Sequence, residues 1–455
     1  MKINIASNEV IHFIGIGGIG MSGLAQIMKN MGFIIQGSDL IQNKNIERLV
    51  KSGIRVFFRH DKKNLKKATM IVISSAIKRN NKELKAARFK NLPVFKRGDM
   101  LANIVSLKKN IVIAGSHGKT TTTSLVANIL LEAGLDPTII NGGVINSFKN
   151  TAQLGKGEWA VIESDESDGS FLKLPITYSV VTNIDKEHLD YYGNFDKLKK
   201  SFRNFIDKTP SFGKSFICID DKNLKNLLSK CKTSNFLTYG FDNKANYQII
   251  NVRKKSNHSI FDMRLKISKG KINNIKNIKV NLIGEHNISN VTASVAIALN
   301  LGIKISKIKQ ALKKFLGIQR RFTKVFSIKE REFYDDYAHH PTEIKAVINS
   351  ARHVNYDRKI ICVFQPHRYS RVKFLKNEFA ESFKDSDTVV LCPVYSAGEK
   401  LKYNFDQNKF SQLISEKSKI QVINIKNQND LRNYFQKNLI QNELVICMGA
   451  GSISS

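Results

Sequence analysis

The stretch that most constrains this chain runs from Ile111 to Ser124. Four apolar residues, Ile111 to Ala114, lead into Gly115-Ser116-His117-Gly118-Lys119-Thr120-Thr121, and a helical run from Leu125 to Ala133 follows. Strand, glycine turn and helix in that order let backbone N–H groups turn inward on a phosphate, while the helix N-terminus favours negative charge. Lys119 can bridge phosphate oxygens, and Thr120 offers a hydroxyl to Mg²⁺. The spacing GxxGKT is shorter than the usual GxxxxGKT. The flanking strand and helix argue against a glycine turn that precedes Lys-Thr by chance.

A chain of 455 residues suggests about three domains at roughly 150 residues each. Residues 1–20 show no basic segment ahead of a long apolar run. No stretch reaches the roughly 18 uninterrupted apolar residues of a membrane span. The expectation is a soluble, cytoplasmic protein with no membrane partner. The five cysteines, Cys218, Cys231, Cys362, Cys392 and Cys447, form no CxxC pair, so neither a zinc site nor a disulfide framework is indicated. The net charge of +35 invites a nucleic-acid reading. The lysines are spread along the whole chain among abundant Asn and Ile, and a lysine-coated enzyme that attracts anionic substrates fits better.

Ahead of the phosphate loop, a strand over Val10–Ile14 meets Gly15-Ile16-Gly17-Gly18-Ile19-Gly20, then a helix over Met21–Met31. A second strand, Phe33–Gln36, ends at Gly37-Ser38-Asp39. The glycines permit close approach to a pyrophosphate, and Asp39 can take a ribose hydroxyl. This indicates a nucleotide diphosphate without specifying nicotinamide; a purely structural glycine turn is the alternative. A strand over Met70–Ile73 reaches Ser74-Ser75, a helix spans Lys82–Lys90, and Pro93–Phe95 is a short strand.

After the loop, Trp159–Ile162 reads as a strand entering Glu163-Ser164-Asp165-Glu166-Ser167-Asp168. Four acids in six residues at a strand's carboxyl end suit Mg²⁺, which prefers carboxylate oxygens; a solvated acidic turn is the alternative. A strand over Tyr178–Asn183 precedes Asp185 and His188, a metal ligand or a loop histidine. Residues 194–208 form an amphipathic helix with core phenylalanines. Cys218 to Val280 is irregular and β-like, with alternation over Ser259–Leu265 and Val280–Ile283. His286, Asn287 and Asn290 precede a helix over Val291–Leu299, where their first expected role is capping. Beyond Gly317, Arg320-Arg321-Phe322, Tyr334 to Glu343 and Gln365 to Arg371 accompany strands over Ile360–Phe364, Thr388–Cys392 and Leu444–Cys447, with a helix to Phe383. Alternating elements of this kind predict a parallel sheet with ligands at strand carboxyl ends.

Taken together, the ordered motifs GIGGIGMSG, GSHGKTTTT, ESDESDGSF, TNIDKEHLDYYG, GEHNISNVTA, RRF, DDYAHHPTE and FQPHRYSR resemble the Mur ligases of peptidoglycan synthesis over nearly the whole length. The resemblance implies an α/β protein of three domains. These are a Rossmann-like UDP-sugar domain (1–107), a central P-loop-type ATPase with a parallel sheet (108–316) and a mobile Rossmann-like C-terminal domain (317–455). It implies ATP and Mg²⁺ as cofactors and, from HRYSR, the branch that joins L-alanine to UDP-N-acetylmuramate through an acyl phosphate.

By the same resemblance, Gly15, Gly17, Gly20, Asp39 and Ser75 surround the UDP-sugar. Gly115, Ser116, His117, Gly118, Lys119, Thr120 and Thr121 hold ATP phosphates. Thr120, Glu163 and His188 hold the metal, while His286, Asn287 and Asn290 bind adenine. Arg321 and Asp336 contact ATP, and Tyr337, His339, His367, Arg368 and Arg371 form the amino-acid pocket. Lys119, Glu163, His188 and Arg321 are the expected catalytic set. Ser116 stands where threonine is commoner and Ala338 where glycine is, both small replacements. A monomer or weak homodimer without nucleic acid is expected. Ligases that recycle a tripeptide onto the same sugar would share the nucleotide motifs. An NAD-dependent oxidoreductase would account for Gly15 to Asp39 and leave the phosphate loop unexplained.

Overall fold

The computed structural model describes residues 9–146, 150–266, 272–399, 405–439 and 441–454; the first eight residues of the amino-terminal stretch read above lie outside it. The chain divides into two compact units. One comprises residues 1–251, 261–278 and 289–315, the other 252–260, 279–288 and 316–455.

The first unit carries a sheet of five parallel strands in the order Arg55–Phe57, Ile34–Ser38, Val10–Ile14, Met70–Ile73, Val94–Lys96. Its central strand is apolar except for His12 and is almost wholly buried, as expected of a parallel strand covered on both faces. Helices Ile19–Asn30, Lys44–Lys51 and Lys82–Phe89 alternate with the strands. Asn43 and Asn81 cap the last two by accepting N–H groups of the first turn.

A second sheet has ten strands, ordered Ile272–Val280, Ser259–Lys266, Tyr247–Lys254, Phe236–Gly240, Lys214–Cys218, Tyr178–Val181, Lys109–Ala114, Trp159–Glu163, Thr138–Ile145, Asn150–Gln153. Pairing is parallel from Tyr247–Lys254 across to Thr138–Ile145, and antiparallel at the Asn150–Gln153 edge. Trp159, the only tryptophan of the sequence, opens its strand 8% exposed. Its ring packs 5.6 Å from that of Tyr178, with the Lys109 ammonium 5.7 Å above it.

The structure corrects several expectations. The helix after the phosphate loop spans Lys119–Glu132, six residues earlier at its start than Leu125. Thr120 to Ser124 are poor helix formers. Two of their hydroxyls bond back along the helix, Thr122 Oγ1 to the Gly118 carbonyl at 2.9 Å and Ser124 Oγ to the Thr120 carbonyl at 2.7 Å. Similarly, the helix expected at Val291 spans Glu285–Asn300, so His286, Asn287 and Asn290 lie within its first turns and do not cap it. The β alternation expected to Ile283 stops at Val280.

The second unit holds a six-stranded sheet, ordered Thr323–Ile328, Arg331–Asp336, Glu443–Met448, Lys359–Phe364, Thr388–Leu391, Gln421–Asn424. Only the Thr323–Ile328 edge is antiparallel. The helical run expected to Phe383 is two helices, Tyr369–Phe374 and Lys376–Glu381. They pack with Pro341–Val354 on a core that includes Ile360, Phe364, Phe379 and Phe383.

Candidate active site

Parallel register brings the carboxyl ends of three strands in the central sheet together: Ala114 pairs with Val181, and Ile113 with Glu163. The phosphate loop, the acidic segment and the Thr182–His188 turn therefore share one sheet edge. Gly115 (φ +136°) and Gly118 (φ +80°) adopt conformations that other residues avoid. A Cβ on Gly118 would also lie 2.6 Å from Asn290 Oδ1. Asn183 braces the loop from the neighbouring strand end. Its Oδ1 accepts the His117 N–H at 2.8 Å, and its Nδ2 donates to the His117 carbonyl at 3.0 Å. The Asp185 N–H donates to Ser116 Oγ at 2.8 Å, and His117 Nε2 lies 3.1 Å from Asp185 Oδ2.

Lys119 donates to the Gly115 and Ser116 carbonyls at 2.5 and 3.2 Å and to both oxygens of Glu166 at 3.1 and 2.9 Å. Burial disfavours its charge, but the carboxylates of Glu166 and Asp165 more than offset this and raise its pKa. Burial pushes Glu166 up to about 7, with Lys119 opposing and Asp165 adding to the rise. Glu163 Oε1 accepts from Thr120 Oγ1 at 3.0 Å, and Glu163 Oε2 accepts the Gly142 N–H at 2.5 Å. His188, at φ +55°, places Nε2 3.7 Å from Glu166 Oε1 and 3.6 Å from Glu187 Oε2. Glu166, Glu187 and His188 thus offer three ligand atoms all within 4.8 Å of one another. The sequence does not single out Glu187: nothing in its spacing distinguishes it from other loop acids, and only the turn after Tyr178–Val181 brings it to Glu166.

In the five-stranded sheet, Ile14 pairs with Ser38 and Ile73, so Gly15, Asp39 and Ser75 all follow adjacent strand ends. Gly15 has φ +81°. Asp39 Oδ2 accepts the Gly17 N–H at 2.8 Å. Arg97 is a second residue that the sequence does not announce: its Nη1 lies 3.1 Å from where a Cβ on Gly20 would sit, a cation against the glycine turn.

In the second unit, Asp336 pairs with Met448 and Phe364 with Met448. The segments after Asp336, Phe364 and Met448 consequently emerge side by side. Asp336 accepts the Phe322 and Ala338 N–H groups, both at 2.7 Å, and burial raises its pKa to about 6. Arg321 lies 3.9 Å from Glu343 and stacks 5.5 Å over the Tyr337 ring. Packing of His339 against Tyr337 and His367, with ring centroids at 5.3 and 5.8 Å, draws these aromatics together; His367 also stacks on Tyr395 at 5.6 Å. Arg371 Nη1 reaches His367 Nδ1 at 3.2 Å. Burial, then His339, Arg371 and Arg368, depress the His367 pKa to about 3. Arg368 sits at φ +69°, where its N–H donates to the Tyr395 carbonyl at 2.8 Å. His286 is exposed on the first turn of Glu285–Asn300, and Asn287 Nδ2 donates to the Ile283 carbonyl at 2.8 Å.

Family models match the chain in three successive segments. The Mur ligase family catalytic domain matches residues 10–109, the Mur ligase middle domain 113–298, and the Mur ligase glutamate ligase domain 320–451. A UDP-N-acetylmuramate–L-alanine ligase of Pelagibacter ubique is 55% identical over 455 residues, 100% of this chain and 98% of that protein. One from Methylobacterium radiotolerans is 43% identical, covering 98% and 95%. Among solved structures, the UDP-N-acetylmuramate-alanine ligase of Thermotoga maritima superposes with a TM-score of 0.82 at 26% identity, covering 98% of this chain and 96% of that one. A murein peptide ligase from Psychrobacter arcticus shares the fold, with a TM-score of 0.73, 22% identity and coverage of 97% and 96%. From its amino-terminal glycine turn to its last strand, the chain belongs to the Mur ligase family.

Proposed function

We propose that this chain is an ATP-dependent carbon–nitrogen ligase. It joins L-alanine to the lactyl carboxylate of UDP-N-acetylmuramate and releases ADP and phosphate, a step of peptidoglycan precursor synthesis. The observation that carries this reading is the Lys119 phosphate loop beside the Glu163–Asp168 segment, in a chain matched end to end by a UDP-N-acetylmuramate–L-alanine ligase. A carboxylate and an amine do not condense unaided in neutral water. Transfer of the γ-phosphoryl group of ATP to the lactyl carboxylate gives an acyl phosphate; the alanine amine then attacks its carbonyl carbon and phosphate departs.

Each group of residues has a part in that chemistry. The loop N–H groups and Lys119 hold phosphate oxygens and offset charge as it shifts toward the leaving group. Arg321 and Asp336 are the further nucleotide contacts in this reading, with His286, Asn287 and Asn290 on the adenine side. Gly15, Gly17, Gly20, Asp39 and Ser75 receive the UDP-sugar. Arg368 and Arg371 recognise the alanine carboxylate, while Tyr337, His339 and His367 wall the pocket. His367, neutral because its pKa is depressed, adds no charge of its own there.

The donors around the loop suit Mg²⁺. Glu163, Glu166 and Glu187 supply hard oxygens, joined by the Thr120 hydroxyl and His188. Mg²⁺, when bound, supplies charge neutralisation for the phosphates. Domain limits of 1–107, 108–316 and 317–455, a cytoplasmic location, a monomer or weak homodimer, and independence of nucleic acid and membrane complete the proposal. Among the described residues, no helix is long and apolar enough to cross a membrane.

The test is phosphate release from ATP and Mg²⁺ with UDP-N-acetylmuramate and, in turn, L-alanine, glycine, L-serine, the tripeptide L-alanyl-γ-D-glutamyl-diaminopimelate, or no amine. Release that needs both the sugar and L-alanine supports the proposal. Release with the tripeptide alone would reassign the chain to peptide recycling, and none with any amine would refute ligase activity.

A further inference from the structure

Beneath the glycine turn of the five-stranded sheet lies a polar network that the proposed mechanism leaves unused. Glu83, on helix Lys82–Phe89, is fully buried, as are His12 and Ser38. Glu83 Oε2 accepts the Ser38 hydroxyl at 2.5 Å and lies 3.1 Å from His60 Nδ1. Ser38 Oγ is itself 2.9 Å from His60 Nδ1. Glu83 Oε1 accepts from Asn64 Nδ2 at 2.7 Å and faces His12 Nε2 at 3.4 Å. Gln36 Nε2 lies 3.2 Å from His12 Nδ1 and donates to the Asn64 carbonyl at 2.8 Å. An amide donor at Nδ1 assigns the His12 proton to Nε2, the nitrogen aimed at Glu83.

The network is joined to the turn through one residue. The Ser38 carbonyl accepts the Gly15 and Ile16 N–H groups at 2.8 and 3.1 Å, and the next residue, Asp39, accepts the Gly17 N–H. Ser38 and Asp39 together therefore hold three successive N–H groups of the turn. The side chain of Ser38 is held in place by Glu83. A buried carboxylate is costly unless fully partnered. Hydrophobic packing alone could support a strand end, so a carboxylate with four polar neighbours at this point implies a positional requirement. Burial works against the Glu83 charge, but His12, Ser38 and Asn64 together hold its pKa below the usual value.

We propose that Glu83 is a positioning residue for the UDP-sugar subsite: through Ser38 it sets the glycine turn and the Asp39 carboxylate at the separation that a uridine diphosphate requires. The inference rests on the reading that this turn binds the UDP-sugar.

Calorimetric titration with UDP-N-acetylmuramate and steady-state kinetics for all three substrates test it, using Glu83→Gln and Ser38→Ala. Ser38→Ala severs the link to the strand end while leaving the other partners of Glu83 in place, so it decides the matter even if Glu83→Gln does not fold. The expected result is a rise of about tenfold or more in both Kd and KM for the UDP-sugar, with kcat and the KM values for ATP and L-alanine within about twofold. A merely structural role would lower thermal stability and active fraction without that selective shift. Unchanged UDP-sugar affinity in folded Ser38→Ala overturns the positioning role while the subsite reading stands. A wild-type protein that binds no UDP-N-acetylmuramate overturns the subsite reading and the positioning role with it.

Discussion

Lys119 shows how much a single side chain does at the phosphate loop. It ties the loop carbonyls to Glu166, and its charge is the one the loop would present to a phosphoryl group. Lys119→Ala is expected to lower phosphate release by about 10²-fold or more, on the scale of removing one preorganised donor, while calorimetric UDP-sugar affinity stays within about twofold; full turnover would refute the assignment. His367 supplies a pH prediction. The unfolded chain protonates this ring as pH falls through about 6.5, whereas the folded chain does so only near 3. The unfolded state thus binds more protons across that window, and stability falls as pH falls. His367→Gln should flatten the loss between pH 7 and 5 by about 1 kcal/mol after allowance for partial exposure, read from urea midpoints. Residues such as Lys119, Thr120 and Asp39 are legible in the sequence because a local pattern of glycines and strand ends announces them. Glu83, Glu187 and Asn183 are not, because their partners lie on segments distant in the chain and no spacing encodes such a contact.

Elements with simple periodicity match their expected limits closely. Val10–Ile14 and Met70–Ile73 have the expected bounds, and Phe195–Asp207 falls within the expected 194–208. Differences arise where residue preference and tertiary context diverge. Thr120 to Ser124 and His286 to Asn290 disfavour helix on their own, yet both runs are helical, and both lie at proposed nucleotide positions. Gly118 is where the phosphate-loop element can be tested. With φ +80° and Asn290 Oδ1 2.6 Å from where an added Cβ would sit, Gly118→Ala meets both backbone strain and collision. It should cost about 1–3 kcal/mol in unfolding free energy, measured by urea denaturation, and reduce ATP turnover more than tenfold.

On the scale of the whole molecule, the alternation of strands and helices and the order of motifs announce three parallel-rich sheets, and the structure has them. Composition is a poorer guide. A charge of +35 describes the coat of lysines and says little about chemistry, which the proposed reading puts at a few strand ends. Substrate choice is also a property of the complete enzyme. One methylene in a small pocket discriminates by about 1–3 kcal/mol, so glycine should support phosphate release with kcat/KM lowered about 10- to 200-fold relative to L-alanine; equal rates would refute a pocket fitted to the alanine methyl. The solitary Trp159 has an optical consequence. Its indole is buried in the central sheet beside Tyr178, so intrinsic emission excited at the red edge reports the melting of that sheet alone. Circular dichroism averages over every helix, and any gap between the two denaturation curves would be a direct spectroscopic measure of how independently that sheet comes apart from the rest of the chain.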